Sequence, residues 1–241
     1  MKIMDEKTKF AHLGKPGSAF TKGFERRLRM ILEKIDLNNK TILDLGTGEG
    51  VWLSEFVKYT DPENVFASEY DSEQVEKLKQ ENSIARSIKI PNQNIVNCPG
   101  EKLDFIDEKF DIVFQNEVLE HVQDDTQTLR ECYRVLKRGG SLVFFTPNRG
   151  WPFEQHGIFF RGKYYWGNIP FIPWLPKFIS KKLAPHVRNY TWSELRRKLE
   201  VAGFKVEYHT RIFPGFDKME RKFGYPGKIL KNIIHSLEKT P

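Results

Sequence analysis

Cysteine is scarce. Cys98 and Cys132 are the only two in 241 residues, too few for a disulfide framework. No apolar run approaches the length of a helical bilayer crossing. The opening stretch MKIMDEKTKFAHLGKPG lacks an apolar core of signal-peptide length. These absences lead us to expect a cytoplasmic protein. The chain also has no internal repeat and no low-complexity tract, which excludes solenoid and fibrous architectures. What remains, 39% hydrophobic and 29% charged residues with a mean hydropathy of -0.55, is the composition of an ordinary globular domain. The length suits one full-sized domain carrying an insertion.

The net charge of +7 is unevenly placed. Residues 1–150 carry 22 Lys+Arg against 25 Asp+Glu, whereas residues 151–241 carry 17 against 7. The basic third opens on an aromatic-dense stretch that includes Trp151, Phe153, Tyr164, Trp166, Trp174 and Phe178. Aromatic and cationic side chains together suit an apolar, anionic partner such as a lipid surface.

From residue 41 short apolar runs alternate with segments of helical period, the mark of βαβ units on a parallel sheet. The expected fold class is α/β, a doubly wound, mostly parallel sheet. Strands are expected at 41–45, 65–68, 94–97, 110–114 and 141–146, each short and apolar enough to be buried on both faces. Before the first strand, Phe24, Leu28, Ile31, Leu32 and Ile35 repeat at helical spacing and predict a helix crossing the sheet edge. Leu129, Cys132, Tyr133 and Leu136 predict another, with Lys137-Arg138-Gly139-Gly140 as its basic, glycine-capped end. Residues 147–185, rich in Pro, Gly and aromatics, have no sustained period and predict an inserted cap. Thr191 and Glu194 are spaced as a capping box, and a strand is expected near Phe204–Tyr208. The domain plan is therefore 1–146 as N-terminal helix and ligand-binding core, 147–190 as cap, and 191–241 as helix, strand and basic tail completing the same domain.

The strongest local signal is Asp44-Leu45-Gly46-Thr47-Gly48-Glu49-Gly50 at the end of the first strand. Glycines let backbone approach a ligand closely, and a helix start offers free N–H donors. The spacing G-x-G-x-G, with Val51 in the sixth place, departs from the dinucleotide fingerprint, and no Gly-Lys-Ser/Thr follows for a P-loop. An acid at Asp44 suits a cationic ligand. Glu69, about 20 residues on at the end of the second strand, can accept both hydroxyls of a ribose. The two carboxylates outline an aminoacyl nucleoside.

Residues 41–146 resemble the class I S-adenosylmethionine-dependent methyltransferases, through Asp44–Gly50 as their first motif and Ala67-Ser68-Glu69-Tyr70-Asp71 as the acidic end of their second strand. The resemblance implies S-adenosylmethionine as cofactor. Asp44, Gly46, Thr47, Gly48 and Gly50 would surround its methionine and ribose, Glu69 would bind the ribose hydroxyls, Tyr70 would cover the adenine, and Gly100 and Glu101 would edge it. The run Gln115-Asn116-Glu117-Val118-Leu119-Glu120-His121 is similar to one in ubiquinone-biosynthesis O-methyltransferases, and Asn116 joins the cofactor set by that likeness. In that subgroup the acidic and histidine positions are associated with a divalent metal, which here would fall to Glu117, Glu120 and His121. Read from spacing alone, that i, i+3, i+4 trio suits either a metal or a hydrogen-bonded helix start.

A hydroxyl acceptor must lose a proton, and His121 and His156, past strands at the ligand-binding edge, are the candidate bases; His186 is weaker. Arg149 and Arg188 are candidates to pair with an acceptor carboxylate or phosphate. The reading is an enzyme that methylates a small or lipid-like acceptor, with O-methylation favoured and peripheral membrane contact through the cap. An RNA- or tRNA-modifying methyltransferase and a non-catalytic cofactor-binding scaffold are the alternatives. Nucleic acid is disfavoured because the run after the fourth strand is not Asn/Asp-Pro-Pro-aromatic. The oligomeric state is not readable.

Overall fold

The computed structural model describes residues 18–81, 83–214, 216–236 and 238. The opening stretch and the last residues of the basic tail lie outside them. The described residues divide into two compact units, one spanning Leu37–Lys205 and one formed by the described parts of Met1–Asp36 and Val206–Pro241.

The larger unit is built on a five-stranded parallel sheet of β1 (Ile42–Leu45), β2 (Val65–Glu69), β3 (Ile95–Asn97), β4 (Phe110–Asn116) and β5 (Leu136–Phe145), in the order β3-β2-β1-β4-β5. All five expected strands form. The chain reverses direction across the sheet between β1 and β4, and such a switch point opens a crevice at the strands' carboxyl ends. All four residues of β1 are buried, as a central parallel strand requires. Trp52, Phe56 and Phe114 stack over one side, with Trp52–Phe114 centroids 4.5 Å apart. Phe66, Phe105 and Phe110 pack edge to face nearby. Each fully buried ring among them, Phe56, Phe110 and Phe114, stabilises the fold by about 1.5–3 kcal/mol.

The helix after the glycine loop is a single turn, Leu53–Phe56. Two local expectations are corrected. The helix before β5 (Asp125–Val135) stops at Val135, and Leu136 is already extended. Gly139 (φ +78°) and Gly140 instead sit within β5, where the register jumps from Phe110↔Leu136 to Ile112↔Ser141. The glycines thus shape a bulge rather than a helix cap: a Cβ on Gly140 would lie 2.9 Å from the carbonyls of Asp111 and Lys137. Second, Phe204–Tyr208 forms no strand. Its apolar/polar alternation fits one, but Phe204 is drawn back to close the preceding helix through Leu199 and to pack on Tyr133, with ring centroids 5.3 Å apart.

Residues 147–190, the segment expected to be a cap, are organised by two short antiparallel pairs. β6 (Phe153–Glu154) pairs with β9 (Ile169–Pro170), and β7 (Ile158–Phe160) with β8 (Lys163–Tyr165). A helix at Lys177–Leu183 follows, and then Trp192–Val201, opened by the expected capping box of Thr191 and Glu194. The smaller unit contains the helix Ser18–Leu32 and the helical stretch Asp217–Ser236, broken at Gly224 (φ +58°). Arg26 ties its parts together, through Glu238 at 3.1 Å and the Phe213 carbonyl. Residues from 206 onward thus group with the N-terminal helix, not with the sheet as the domain plan expected.

Candidate active site

At the end of β1 the chain turns through Gly46, Gly48 and Gly50, with φ of +70°, +55° and +81°. Gly46 has no alternative, because a Cβ there would come within 2.5 Å of Val118. The turn is fixed by the Gly46 and Thr47 amides donating to the Ser68 carbonyl at 2.8 and 3.1 Å. Asp44 is buried below it and accepts from the Thr47 hydroxyl at 2.6 Å. Burial, with Glu69 nearby and against the pull of Thr47, pushes the Asp44 carboxyl up to about 7.

Glu69 closes the loop from the next strand. Its Oε2 accepts the Gly48 amide at 2.9 Å, and its Oε1 accepts the amides of Tyr70 and Asp71. Tyr70 is largely exposed at this rim. Gly100 backs onto Thr128, where a Cβ would meet Thr128 at 3.0 Å. The Glu101 side chain turns to the β4–helix loop, accepting the amides of Gln123 and Asp124 at 2.6 and 3.0 Å. Asn116 ends β4 with a buried Oδ1 that no hydrogen bond reaches.

Residues 117–123 form a turn rather than a helix start, with Glu117 at φ +58° and its amide bonded to the Phe145 carbonyl. Glu120 is buried; its Oε2 accepts from Thr146 at 3.0 Å, and its carboxyl is hydrogen-bonded to the Glu117 side chain. Burial, with Glu117 beside it, pushes the Glu120 carboxyl well above the usual range. His121 Nε2 lies 3.9 Å from Glu120 Oε1.

The segment after β6 brings in the second imidazole. His156 and His121 rings stand edge to face with centroids 5.1 Å apart. His156 is held by Glu154, whose Oε1 accepts its Nδ1 at 3.1 Å and its amide at 2.9 Å, while Asn189 donates to Oε2 at 2.7 Å. Although burial alone would raise it, these donors hold the Glu154 carboxyl below its ordinary value. His186 bridges the two: its carbonyl accepts from His121 Nδ1 at 2.9 Å, and its Nε2 bonds the His156 carbonyl at 3.0 Å.

Sequence reading missed Glu154 and Asn189. The Glu154-x-His156 spacing was a usable signal, whereas nothing local announces Asn189. Two expectations are corrected. Arg149 donates to the carbonyls of Pro173 and Leu175 at 3.0 and 2.9 Å, and Arg188 to those of Val122 and Gln123. Arg149 thus fastens the backbone of the inserted segment and Arg188 ties that segment to the turn after β4, so both guanidinium groups are bound to backbone carbonyls rather than awaiting an acceptor's anion.

Residues 43–144 match the family described as methyltransferase domain. A Mycolicibacterium smegmatis protein named "Probable S-adenosylmethionine-dependent methyltransferase" is 26% identical over 219 residues, 90% of this chain and 72% of that one. Ubiquinone biosynthesis O-methyltransferase of Pseudomonas putida is 32% identical over 125 residues, 51% of each chain, so the chain spans about half the length of that relative. An S-adenosylmethionine-dependent methyltransferase structure from Mesorhizobium loti shares the fold at a TM-score of 0.57, with 17% identity and coverage of 89% and 94%.

Proposed function

We propose that the chain, whose residues 43–144 match a methyltransferase domain, transfers the methyl group of S-adenosylmethionine to an oxygen of a small, hydrophobic, quinone- or lipid-like acceptor. The observation that carries this reading is a cluster of three electron-pair donors, Glu120, His121 and His156, mutually within 4.8 Å. Glu120 and His121 stand on the turn after β4, the strand that pairs with β1 across the switch point, and His156 comes from the segment after β6. Asp44, the glycine loop and Glu69 would hold the cofactor's amino acid and ribose, with Tyr70 over the adenine.

The transfer is an in-line displacement. An acceptor oxygen forms a bond to the methyl carbon, the carbon–sulfur bond breaks, and the sulfonium leaves as a neutral thioether. Alignment in a dry pocket supplies much of the rate. The hydroxyl's proton leaves toward the imidazole cluster, which is worth typically 10²–10⁴-fold.

The acceptor class rests on the named activity of the Pseudomonas relative and on the cap. Phe171, Trp174 and Phe178 are exposed in sequence next to Lys177, Lys181 and Lys182, a pattern suited to peripheral contact with an anionic lipid surface that delivers an apolar acceptor. No helix among the described residues is long and apolar enough to cross a membrane. The metal of the ubiquinone subgroup does not fit its expected residues as a set: Glu117 is beside Glu120 but is not in the converging trio.

Calorimetric titration with S-adenosylhomocysteine, with NAD as control, is the first test. Micromolar binding of the former alone is expected, followed by methylation in a screen of phenols, quinol precursors and lipids. Binding of neither overturns the reading in favour of a scaffold.

A further inference from the structure

Of the three imidazoles brought together here, two bond to neutral carbonyls and one to a charge. His121 Nδ1 meets the His186 carbonyl at 2.9 Å, and His186 Nε2 the His156 carbonyl at 3.0 Å. His156 Nδ1 instead lies 3.1 Å from Glu154 Oε1. The Glu154 side chain is wholly buried, whereas that of His156 keeps 15% of its surface exposed. Three donors converge on this carboxylate, the His156 ring, the His156 amide and the Asn189 side chain, and among the described residues no lysine or arginine pairs with it. The donors hold it ionised, so it can only accept. The His156 proton therefore sits on Nδ1 and leaves an electron pair on Nε2.

A buried carboxylate whose one ionisable donor is an imidazole costs stability as it stands, and that cost falls when the imidazole gains a proton. The pair is thus preset to take a proton at Nε2. The carboxylate fixes the tautomer from behind and stabilises the imidazolium as it forms. A carbonyl offers a dipole instead of a full charge, so His121 and His186 gain less on protonation. Burial also holds His186 below the ordinary imidazole range. Glu120, 3.9 Å from His121 Nε2, is no equal rival to Glu154, because burial pushes its carboxyl well above the usual range and so toward the neutral form. With the His121 and His156 rings in edge-to-face contact, charge on one disfavours charge on the other, and Glu154 directs it to His156.

We propose that His156 is the general base of the methyl transfer and that Glu154, anchored by Asn189, is its positioning residue. This rests on the methyl-transfer reading and assigns the proton's route within it. The acceptor oxygen bonds the methyl carbon, the carbon–sulfur electron pair stays on sulfur, and the hydroxyl proton passes to His156 Nε2. The imidazolium, paired with Glu154, returns that proton to water once the methyl ether and S-adenosylhomocysteine have left.

The first test needs no acceptor: nitrogen-15 NMR of the full chain saturated with S-adenosylhomocysteine, the His156 signals identified by their loss in His156→Gln. The ring should carry its proton on Nδ1 with Nε2 bare. Glu154→Gln keeps the shape and removes the charge, and should move proton population toward Nε2. The second test is turnover of the phenol methylated fastest in the screen. His156→Ala and His156→Gln should lower kcat by roughly 10²–10⁴-fold and Glu154→Gln by about 10-fold or more, with KM and S-adenosylhomocysteine affinity held within about 3-fold. Added imidazole should restore part of the rate to His156→Ala. A wild-type ring protonated on Nε2, or kcat within about 3-fold of wild type in both His156 variants, overturns the proposal. A Glu154→Gln variant that melts lower but keeps its tautomer and kcat overturns the positioning role. A chain that binds no S-adenosylhomocysteine overturns the methyl-transfer reading and the base's role with it, and the spectrum then reports the Glu154–His156 pairing by itself.

Discussion

The Glu69 carboxylate accepts the backbone amide of Gly48 at 2.9 Å, so the acid at the tip of β2 holds the middle of the β1 loop. With the Tyr70 and Asp71 amides also on Oε1, one side chain fixes the loop and the start of the segment after β2. Hydrogen bonds to a charged acceptor contribute about 1.5–3 kcal/mol each. Glu69→Ala should therefore weaken S-adenosylhomocysteine binding by roughly 100-fold and lower the melting temperature. Glu69→Gln keeps an acceptor for one amide and should lose less of both. Calorimetry showing unchanged affinity in the alanine variant would remove Glu69 from the cofactor site.

Asp44 makes stability depend on pH. Its folded-state carboxyl is pushed up to about 7 by burial, while in the unfolded chain it ionises near 4. Below pH 4 both states hold the proton and nothing is lost. Between pH 4 and 7 the unfolded state ionises and the folded state resists, so stability falls as pH rises, by a few kcal/mol in total, and is level beyond about 7. Asp44→Asn should flatten that slope in urea titrations at pH 4.5, 6 and 7.5. Asp44→Ala should abolish cofactor binding with the fold retained; a folded variant of undiminished affinity would dismiss the carboxylate's role.

Gly46 and Gly48, two residues apart in the sequence, behave differently in space. Gly46 combines φ +70° with Val118 only 2.5 Å from a would-be Cβ, whereas Gly48, at φ +55°, has nothing within 4 Å. Gly48→Ala carries backbone strain alone, about 1 kcal/mol. Gly46→Ala adds overpacking, for roughly 2–4 kcal/mol in all. Chemical denaturation should rank them in that order, and equal losses would mean that Val118 moves freely out of the way.

The parts of this molecule legible in sequence are those whose signal is local. The five strands are apolar runs, and the loop's glycines lie side by side with Asp44. What was misread depended on partners far along the chain. Gly139 looked like a helix cap because a left-handed glycine serves a bulge as well, and only the pairing with β4 decides between them. Glu117 looked like a ligand through its spacing to Glu120 and His121. The fold instead closes that cluster with His156, 35 residues beyond His121, held by Glu154 and by Asn189, another 35 residues beyond Glu154.

The Tyr190 hydroxyl, finally, locks the segment that supplies His186 onto the turn that carries His121. It donates to Asp125 Oδ2 at 2.9 Å and lies 3.1 Å from the Leu119 carbonyl, in a buried setting. Lys198 holds the other oxygen of Asp125 at 2.6 Å. Tyr190→Phe keeps the ring and its packing but leaves Asp125 and the Leu119 carbonyl short of a donor, a loss of about 1–3 kcal/mol. Because the His186 carbonyl sets the His121 ring, the variant should also lower turnover on whatever acceptor the screen identifies, with S-adenosylhomocysteine affinity held within 3-fold. A variant that is less stable but turns over at the full rate would confine Tyr190 to a structural role and show that the His121 ring is set without it.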